Sequence, residues 1–319
     1  MEPLVNPSDA SRTALATSLM RALHTRGDPV PLLNDPWGDR LVPDTVRTAL
    51  RERALQRVDA SRRAEAAAVP DEILDAALRA NPAYADVILR SRYTEDALQT
   101  AVARGIEQYV IIGAGFDSFI CRRPAWAEGL TIYEVDHPAT QRLKRQCLQK
   151  CGIPESTDVH FVEADLSIET LGSALARSSF QATRPTFFSW LGVTMYLTRE
   201  ANLATLHAIA SCAPAASELV FSYVDEAILR DAAASNRAEA EDFRSLRSEV
   251  ASIGEAFLSG FDPVTLKVLL LDAGLLLMED LGGDHALARY DAAGATGLRP
   301  ARAAHVAHAR LASGTASAA

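Results

Sequence analysis

The stretch YVIIGAGFDSF, residues 109–119, passes from an apolar, β-rich segment into a turn that contains two glycines. A continuous apolar run of this kind is typical of a strand that is covered on both faces of a parallel sheet. Gly113 and Gly115 let the backbone turn tightly and approach a ligand closely, and the following helix offers N–H donors at its first turn. Ser118 stands where a dinucleotide-binding fingerprint has its third glycine. The stretch therefore predicts the start of a nucleotide-binding α/β domain.

Four further segments of the same kind follow, and helix-like stretches separate them. They are LTIYEVD (130–136), VHFVEAD (159–165), TFFSWLGV (186–193) and ELVFSYV (218–224). Alternating strands and helices form βαβ units, in which helices cover both faces of a parallel sheet. LLLMEDLG and ARAAHVAHARLA, near the end of the chain, are interpreted as the last two of seven strands. We therefore expect an α/β fold with a ligand crevice at the carboxyl ends of the strands.

Composition divides the chain into four parts. Residues 1–85 are helical in composition around a connection rich in proline and glycine, and we expect them to pack on the sheet domain as a lid over the crevice. The sheet domain takes residues 86–312, with a polar, Ala-rich helical insertion at 226–260. The last residues, 313–319, are small and polar and are expected to be disordered.

Several classes of protein are excluded by charge and hydropathy. A net charge of −9 argues against a nucleic-acid partner, which requires Lys and Arg concentrated on one face. The most apolar run, VLLLDAGLLLM, is broken by Asp272 and Gly274 and is far shorter than the roughly 20 residues of a membrane span. The first ten residues lack the basic start and apolar core of a secretory signal. We therefore expect a cytoplasmic protein without a membrane partner, and the oligomeric state stays open.

Four cysteines do not suggest a disulfide framework in a chain of 319 residues. Cys147 and Cys151 stand four apart in a helix-like segment, but no second pair lies at ligand spacing. No metal site is predicted, and reduced thiols are the simple interpretation.

An acidic residue at the end of the second strand points to an adenosine-containing ligand. Asp136 lies 21 residues beyond Gly115, at the place where a carboxylate accepts both hydroxyls of a ribose. NAD and S-adenosylmethionine both remain compatible with this pair of signals.

Three details favour S-adenosylmethionine. Ser118 weakens the close packing that a pyrophosphate requires, whereas a methionine tail carries no phosphates. Asp165, at the end of the third strand, is placed to accept the exocyclic amine of adenine, although it could instead cap a helix. The guanidinium of Arg92, before the first strand, suits the carboxylate of the ligand as a bidentate partner. Arg90 lies nearby, and either arginine could instead form a surface ion pair.

Five motifs, in order and spacing, resemble the leucine carboxyl methyltransferase family, which includes eukaryotic phosphatase methyltransferases and bacterial polyketide carboxyl methyltransferases. The motifs are RSRYTEDAL, VIIGAGFDS, IYEVDHP, FVEADL and WLGVTMYLT. The helical opening and the segment GEAFLSGFDPVTLKVLLLDAGLLLMEDLG resemble the bacterial members, so the resemblance covers most of the chain. It implies a Rossmann-like class I methyltransferase fold with S-adenosylmethionine as cofactor.

The resemblance also assigns individual residues to the parts of the cofactor. Arg92 is assigned to the methionine carboxylate, Gly113 and Gly115 with Ala114 between them to the methionine tail, Asp136 to the ribose, and Asp165 with Leu166 to the adenine. There is one departure from the family pattern. Many members have Glu in the fourth-strand motif, where it helps to hold the amino group of the cofactor, and this chain has Leu191. Backbone carbonyls around Gly113 or Trp190 are the alternative acceptors.

The expected reaction is methylation of a carboxylate of a small molecule to its methyl ester. The sulfonium methyl is already activated, so the enzyme has to align a nucleophile and exclude water. A carboxylate is ionised at neutral pH and needs no general base, so no catalytic acid or base is predicted.

The remaining candidate side chains carry weaker expectations. Tyr196, after the fourth strand, is a possible substrate contact or a packing residue, and His24 is the only histidine for which a substrate contact is considered, as the minor alternative. A turn role is expected for His137 and a packed or surface position for His207. Arg12 and Arg21 could attract an acidic substrate or be solvated.

Three alternatives remain beside carboxyl methylation. Phenolic O-methylation would be favoured by a histidine on the methyl-facing side of the pocket. A catalytically silent protein that binds S-adenosylmethionine is compatible with Leu191. An NAD-dependent oxidoreductase is the least supported, because the third glycine and a proton-donating constellation are missing.

Overall fold

The computed structural model describes residues 11–231 and 256–312. The predicted disordered tail, 313–319, and most of the predicted insertion, 226–260, lie outside these ranges. The strands are β1 (Gln108–Ile112), β2 (Thr131–Asp136), β3 (Val159–Glu163), β4 (Thr186–Trp190), β5 (Glu218–Val224), β6 (Leu275–Gly282) and β7 (Ala304–Leu311). All of them coincide with, or lie within, the segments that the sequence predicts as strands, apart from Gln108 at the start of β1.

The strands form one sheet in the order β3-β2-β1-β4-β5-β7-β6. Strands β1 to β5 pair in parallel, and β7 is antiparallel to both of its neighbours, β5 and β6. The prediction of a mostly parallel, seven-stranded sheet is confirmed. Because the five parallel strands point the same way, their carboxyl ends form one edge, where ligands bind in folds of this type.

The helices lie before, between and after the strands. They are α1 (Arg12–Gly27), α2 (Gly38–Leu41), α3 (Asp44–Gln56), α4 (Arg63–Ala66), α5 (Pro70–Arg79), α6 (Tyr84–Ala103), α7 (Pro138–Lys150), α8 (Leu171–Ala176), α9 (Arg199–Cys212), α10 (Glu226–Asp231), α11 (Leu266–Asp272) and α12 (Gly283–Tyr290). A short 3₁₀ turn, Thr194–Tyr196, follows β4. No helix of the described residues is long and apolar enough to cross a membrane.

Strand β1 shows why both faces of the sheet are covered. Its successive side chains point to opposite faces, and all five residues are buried. Val110 and Ile112 belong to a core cluster with α8, α9 and α11, whereas Tyr109 and Ile111 pack with α6. The sheet therefore lies between two helical layers, as expected for an α/β domain.

The N-terminal helix α1 is part of this core. Leu15, Leu19 and Leu23 are almost completely buried and share one hydrophobic cluster with Ile88 of α6 and Phe116 of the loop after β1. Burying a leucine side chain stabilises a fold by about 1.5–3 kcal/mol. Helix α1 is therefore fixed beside the glycine loop by apolar packing.

Candidate active site

A cavity of about 290 Å³ opens at the carboxyl ends of β1, β2 and β4. Its volume is near the lower end of the roughly 300–1,000 Å³ of small-molecule sites. Its lining comes from α1, α6, the glycine loop and the turn after β4, and consists of Ser11, Thr13, Ala14, Thr17, Arg21, Arg90, Ser91, Ile111, Ile112, Gly113, Ala114, Gly115, Phe116, Asp117, Asp136, Ser189, Leu191, Gly192, Val193 and Tyr196. We call it the main cavity. It lies where the sequence places the ligand crevice.

The backbone of the glycine loop lines this cavity, and both of its glycines occupy positions where a side chain would not fit. Gly113 and Gly115 have φ angles of 66° and 50°, in the left-handed region that favours glycine. A Cβ on Gly115 would lie 2.9 Å from the Cβ of Ala14 in α1, and one on Gly113 would collide with the side chain of Val193. Both glycines are therefore required by conformation and by close packing.

Asp136 at the end of β2 is held by two backbone N–H groups. Its carboxylate accepts hydrogen bonds from Gly115 and His137, and the second of these measures 2.6 Å. Desolvation raises the pKa of Asp136, and the two N–H groups oppose this shift. The loop and the acid are thus built as one unit, and Asp136 lines the cavity together with Gly113, Ala114 and Gly115.

Arg90, rather than Arg92, faces the main cavity. Arg92 donates to Asp96 at 3.1 Å and to the carbonyl of Leu32 at 2.9 Å, and its guanidinium lies 5.5 Å from the ring centre of Tyr290. Arg90 is part of the cavity lining. Residues two apart on a helix lie about 200° apart around its axis, so both cannot face one pocket. Of the two arginines that the sequence offers, Arg90 therefore lies in the lining of the main cavity, and Arg92, which was assigned to the methionine carboxylate, does not.

Asp165 and Leu166 follow β3, beyond the lining of the main cavity. Asp165 Oδ1 accepts hydrogen bonds from Ser167 N at 3.0 Å and from Ser167 Oγ at 2.6 Å, and these bonds lower its pKa. Asp165 is not the N-cap of a helix, because these bonds close a turn and the next helix begins at Leu171 with Thr170 as its N-cap. Its Oδ2 lies 4.0 Å from His137 Nε2, which places Asp165 near the end of β2. Leu166 packs at the margin of the core.

The N-terminal helix α1 packs against the glycine loop and forms one side of the main cavity. Ser18 Oγ and Arg21 Nη2 both donate to the carbonyl of Phe116, at 3.2 Å and 2.7 Å. The Nε of Arg21 also pairs with Asp35 at 2.8 Å, and both side chains are buried. The charge of Arg21 is thus neutralised within the fold, whereas Arg12 is exposed.

The turn after β4 supplies the opposite wall. Leu191 lines the cavity at the position where the family pattern has Glu, so no carboxylate stands there. Tyr196 also lines the cavity, with its ring 5.5 Å from that of Phe257. This position agrees with the substrate-contact alternative for Tyr196.

The three histidines named from the sequence lie outside the lining of the main cavity. His24, the one histidine considered for a substrate contact, is held within the fold: its Nδ1 lies 2.5 Å from Asp28 and its Nε2 accepts the N–H of Leu32 at 2.7 Å. Desolvation lowers the pKa of His24 to about 4, so it is a neutral core residue. The turn role of His137 is confirmed, because its Nδ1 accepts the N–H of Ala139 at the start of α7. His207 is exposed.

A second, smaller cavity of about 70 Å³ lies beside the main one, and we call it the side chamber. It lies between α6, β5, α12 and the start of β7. Most of its lining is apolar, as with Leu89, Met195 and Val306, and Asp86, Arg90, Ser222, Tyr223 and His305 add polar groups. Among the residues that the structure describes, Arg90 alone belongs to both linings.

Two residues of the side chamber are oriented by a shared acid. Asp280 accepts a hydrogen bond from Tyr223 Oη at 2.7 Å, and its other oxygen lies 3.2 Å from His305 Nδ1. The rings of Tyr223 and His305 stack at 4.9 Å. From sequence, the segment around His305 is predicted only as a strand; the alternation of histidine and apolar residues in AHVAHARL is the signal that indicates a histidine on one face of it.

The main cavity fits S-adenosylmethionine on its own features. The backbone from Gly113 to Gly115 lines the cavity, an acid stands at the end of β2, and the guanidinium-bearing Arg90 of α6 is part of the lining. Within residues 11–231 and 256–312, no group of three or more His, Cys, Asp or Glu side chains converges as a metal site would require.

Comparison with known proteins agrees with this fit. The sequence profile described as leucine carboxyl methyltransferase matches residues 14–210. The chain is 32% identical over 282 residues to YktD of Bacillus subtilis, which is named as an S-adenosyl-L-methionine-dependent methyltransferase; the match covers 87% of this chain and 90% of that protein. A similarly named protein of Mycolicibacterium gilvum is 30% identical over 217 residues, covering 68% and 67% of the two chains.

Solved structures share the fold at low sequence identity. A protein of Thermobifida fusca described as a methyltransferase superposes with a TM-score of 0.56 at 13% identity, covering 93% of this chain and 94% of that one. A DUF574 family protein of Streptomyces avermitilis gives 0.53 at 16% identity, covering 95% and 98%. These likenesses extend over nearly the whole chain, including the helical N-terminal part.

Proposed function

Because the chain belongs to the leucine carboxyl methyltransferase family and is an S-adenosylmethionine-dependent methyltransferase, we propose that it methylates a carboxylate of a small molecule. One observation carries the choice of a carboxylate. Among the described residues, the ionisable side chains in the lining of the main cavity are Arg21, Arg90, Asp117, Asp136 and Tyr196, with no His, Lys or Cys. A lining without histidine, the most frequent general base, suits a nucleophile that arrives already ionised.

Different residues around the main cavity are proposed to bind different parts of the cofactor. Arg90 holds the methionine carboxylate, because a guanidinium meets a carboxylate with two parallel hydrogen bonds. The backbone from Gly113 to Gly115 holds the methionine tail, and Asp136 holds the ribose. Asp165 and Leu166 are the contacts proposed for the adenine, with Oδ2 as the acceptor that Ser167 leaves available.

S-adenosylmethionine, when bound, supplies a methyl group bonded to a positively charged sulfur. A carboxylate oxygen takes this methyl group as the carbon–sulfur bond breaks, which gives a methyl ester and S-adenosylhomocysteine without moving a proton. The chain contributes alignment and exclusion of water. Helix α1 supplies the exclusion, because Ser18 and Arg21 bind it to the loop at Phe116. Tyr196 is the wall residue proposed to contact the acceptor.

A second candidate acceptor is a hydroxyl group, and His305 favours it. A hydroxyl must lose a proton, and a histidine whose Nδ1 faces a carboxylate presents Nε2 as the acceptor for that proton. His305 has this arrangement with Asp280, but it lines the side chamber rather than the main cavity. The carboxylate therefore remains the primary proposal.

The type of acceptor can be tested by measuring whether the methylated product is stable to base. Purified protein is incubated with methyl-labelled S-adenosylmethionine and a pool of small aromatic and aliphatic acids, and the labelled product is then treated with mild base. Release of labelled methanol supports the ester, and a label that survives base is an ether and overturns the carboxylate proposal.

Calorimetry with S-adenosylhomocysteine and with NAD is run in parallel, and we expect the protein to bind S-adenosylhomocysteine only.

A further inference from the structure

The wall between the main cavity and the side chamber is thin. Arg90 lines both, and adjacent residues of the 3₁₀ turn face opposite ways, with Tyr196 toward the main cavity and Met195 toward the side chamber. Gly192 of the main cavity is joined to Ser222 of the chamber by a hydrogen bond of 2.8 Å from its N–H to Oγ. The two spaces therefore adjoin along the carboxyl edge of β4 and β5.

The size and lining of the side chamber define what it accepts. A single water requires about 10–15 Å³ of such volume, so 70 Å³ corresponds to about five waters, or a group of about five to seven heavy atoms. Leu89, Met195, Leu281 and Val306 make most of its surface apolar. A six-membered ring matches both the size and the polarity, whereas a sugar or a peptide does not.

The polar groups of the chamber lie where a ring substituent would meet them. Asp280 faces His305 Nδ1 at 3.2 Å, so the neutral tautomer with its proton on Nδ1 presents Nε2 as an acceptor. Asp86 accepts the N–H of Ala301 at 3.1 Å and lies one helical turn before Arg90. The acidic and imidazole groups at the chamber favour a hydrogen-bond donor such as a hydroxyl. The positive charge of Arg90 lies at the side that adjoins the main cavity.

We propose that the side chamber binds the ring of the methyl acceptor, and that the acceptor is a compact hydroxyaryl carboxylic acid. Its carboxylate reaches the main cavity beside Tyr196, and its ring contacts the apolar lining of the chamber. Its hydroxyl donates to His305 Nε2. This inference rests on the proposed carboxyl methylation and adds the substrate class and a specificity residue, His305.

The experiment measures binding of a defined probe to the full chain saturated with S-adenosylhomocysteine. The probe is 4-hydroxybenzoate, and benzoate and phenol serve as partial probes, all followed by calorimetry and saturation-transfer NMR. Ala286→Leu fills the chamber, because Ala286 lines it and is 2% exposed. Ala288→Leu, at an exposed position of the same helix, is the matched control. His305→Asn keeps an N–H donor toward Asp280 and removes Nε2.

We expect 4-hydroxybenzoate to bind the wild type and the Ala288→Leu variant, and to lose at least tenfold in affinity with Ala286→Leu. In His305→Asn, the affinity for 4-hydroxybenzoate is expected to fall about tenfold while that for benzoate stays within twofold. The affinity for S-adenosylhomocysteine should stay within twofold in every variant.

Each contrary result has a distinct meaning. Failure of S-adenosylhomocysteine to bind the wild type overturns the proposed function itself. Normal binding of S-adenosylhomocysteine without binding of 4-hydroxybenzoate overturns the substrate class alone. Binding of the probe that survives Ala286→Leu places the ring elsewhere, and equal losses for both acids in His305→Asn reject the hydroxyl contact.

Discussion

The guanidinium of Arg90 occupies the space that a side chain at Gly192 would need. A Cβ on Gly192 would lie 2.9 Å from Cζ of Arg90, closer than real Cβ contacts. Gly192 also has a φ of 69°, in the left-handed region. Helix α6 and the turn after β4 therefore approach each other through one arginine and one glycine, at the boundary between the two cavities.

Gly192→Ala tests this close approach. The methyl group must displace Arg90, so we expect the affinity for S-adenosylhomocysteine to fall at least tenfold. The left-handed backbone costs about 1–2 kcal/mol of stability in addition. Calorimetry measures the first effect and thermal unfolding the second. Gly129→Ala is the control, because a Cβ there meets nothing within 4 Å; equal affinities in the two variants would show that Arg90 does not depend on Gly192.

Arg90→Lys and Asp136→Asn should affect different parts of the cofactor. Arg90→Lys loses the bidentate geometry, so we expect about a tenfold loss for S-adenosylhomocysteine and no change for 5′-methylthioadenosine, which has no carboxylate. Asp136→Asn should weaken both ligands, because both carry the ribose. Arg92→Lys is the matched control and should change neither. A loss with Arg92→Lys that equals the loss with Arg90→Lys would restore the sequence-based assignment.

The proposed adenine contact of Asp165 can be isolated with S-inosylhomocysteine, which lacks the exocyclic amine. We expect the wild type to prefer S-adenosylhomocysteine by about tenfold, as a hydrogen bond to a charged carboxylate predicts. In Asp165→Ala this preference should disappear, since the acceptor oxygen is lost. Ser167→Ala removes the hydroxyl donor to Oδ1 and keeps the acid, so the preference should persist. An unchanged preference in Asp165→Ala would leave Asp165 with its turn role alone.

Asp86 should make stability depend on pH. Desolvation raises its pKa to about 7 from an ordinary value of 3.8, so the folded state binds this proton more tightly than the unfolded state. Its contribution to stability is then present below about pH 4 and is lost as the pH rises to 7. At about 1.36 kcal/mol per unit, the advantage of Asp86→Asn over the wild type should grow by about 2–3 kcal/mol from pH 5 to pH 8. Urea unfolding at both pH values measures it; a difference independent of pH would contradict the expectation.

The sheet could be predicted from sequence because its signal is local. Each parallel strand is a short apolar run bounded by turn residues, and β5 and β6 occupy the same residues in the sequence and in the structure. Burial on both faces imposes this pattern on every central strand. The acids and glycines that follow the strands could be placed for the same reason, since the carboxyl ends of parallel strands share one edge.

The choice between Arg90 and Arg92 could not be made from sequence, because it depends on the rotation of α6. That helix is buried against several elements, with Tyr93 and Leu98 on the sheet side and Val87 and Ile88 near α1. Apolar residues around most of its surface leave no single polar face from which to read its orientation. The side chamber could not be predicted from the sequence either, because its lining residues are spread along the chain from Ala83 to Val306.

The packing of α1 has a consequence for how quickly ligands exchange. Lifting α1 from the glycine loop exposes Leu15, Leu19 and Leu23 to water, which removes about 5–9 kcal/mol of burial if each contributes 1.5–3 kcal/mol. An opening of that size is a local unfolding event rather than a hinge motion. If cofactor exchange passes through it, turnover will be limited by product departure, and the amide protons of α1 will exchange with solvent on the same timescale as S-adenosylhomocysteine leaves.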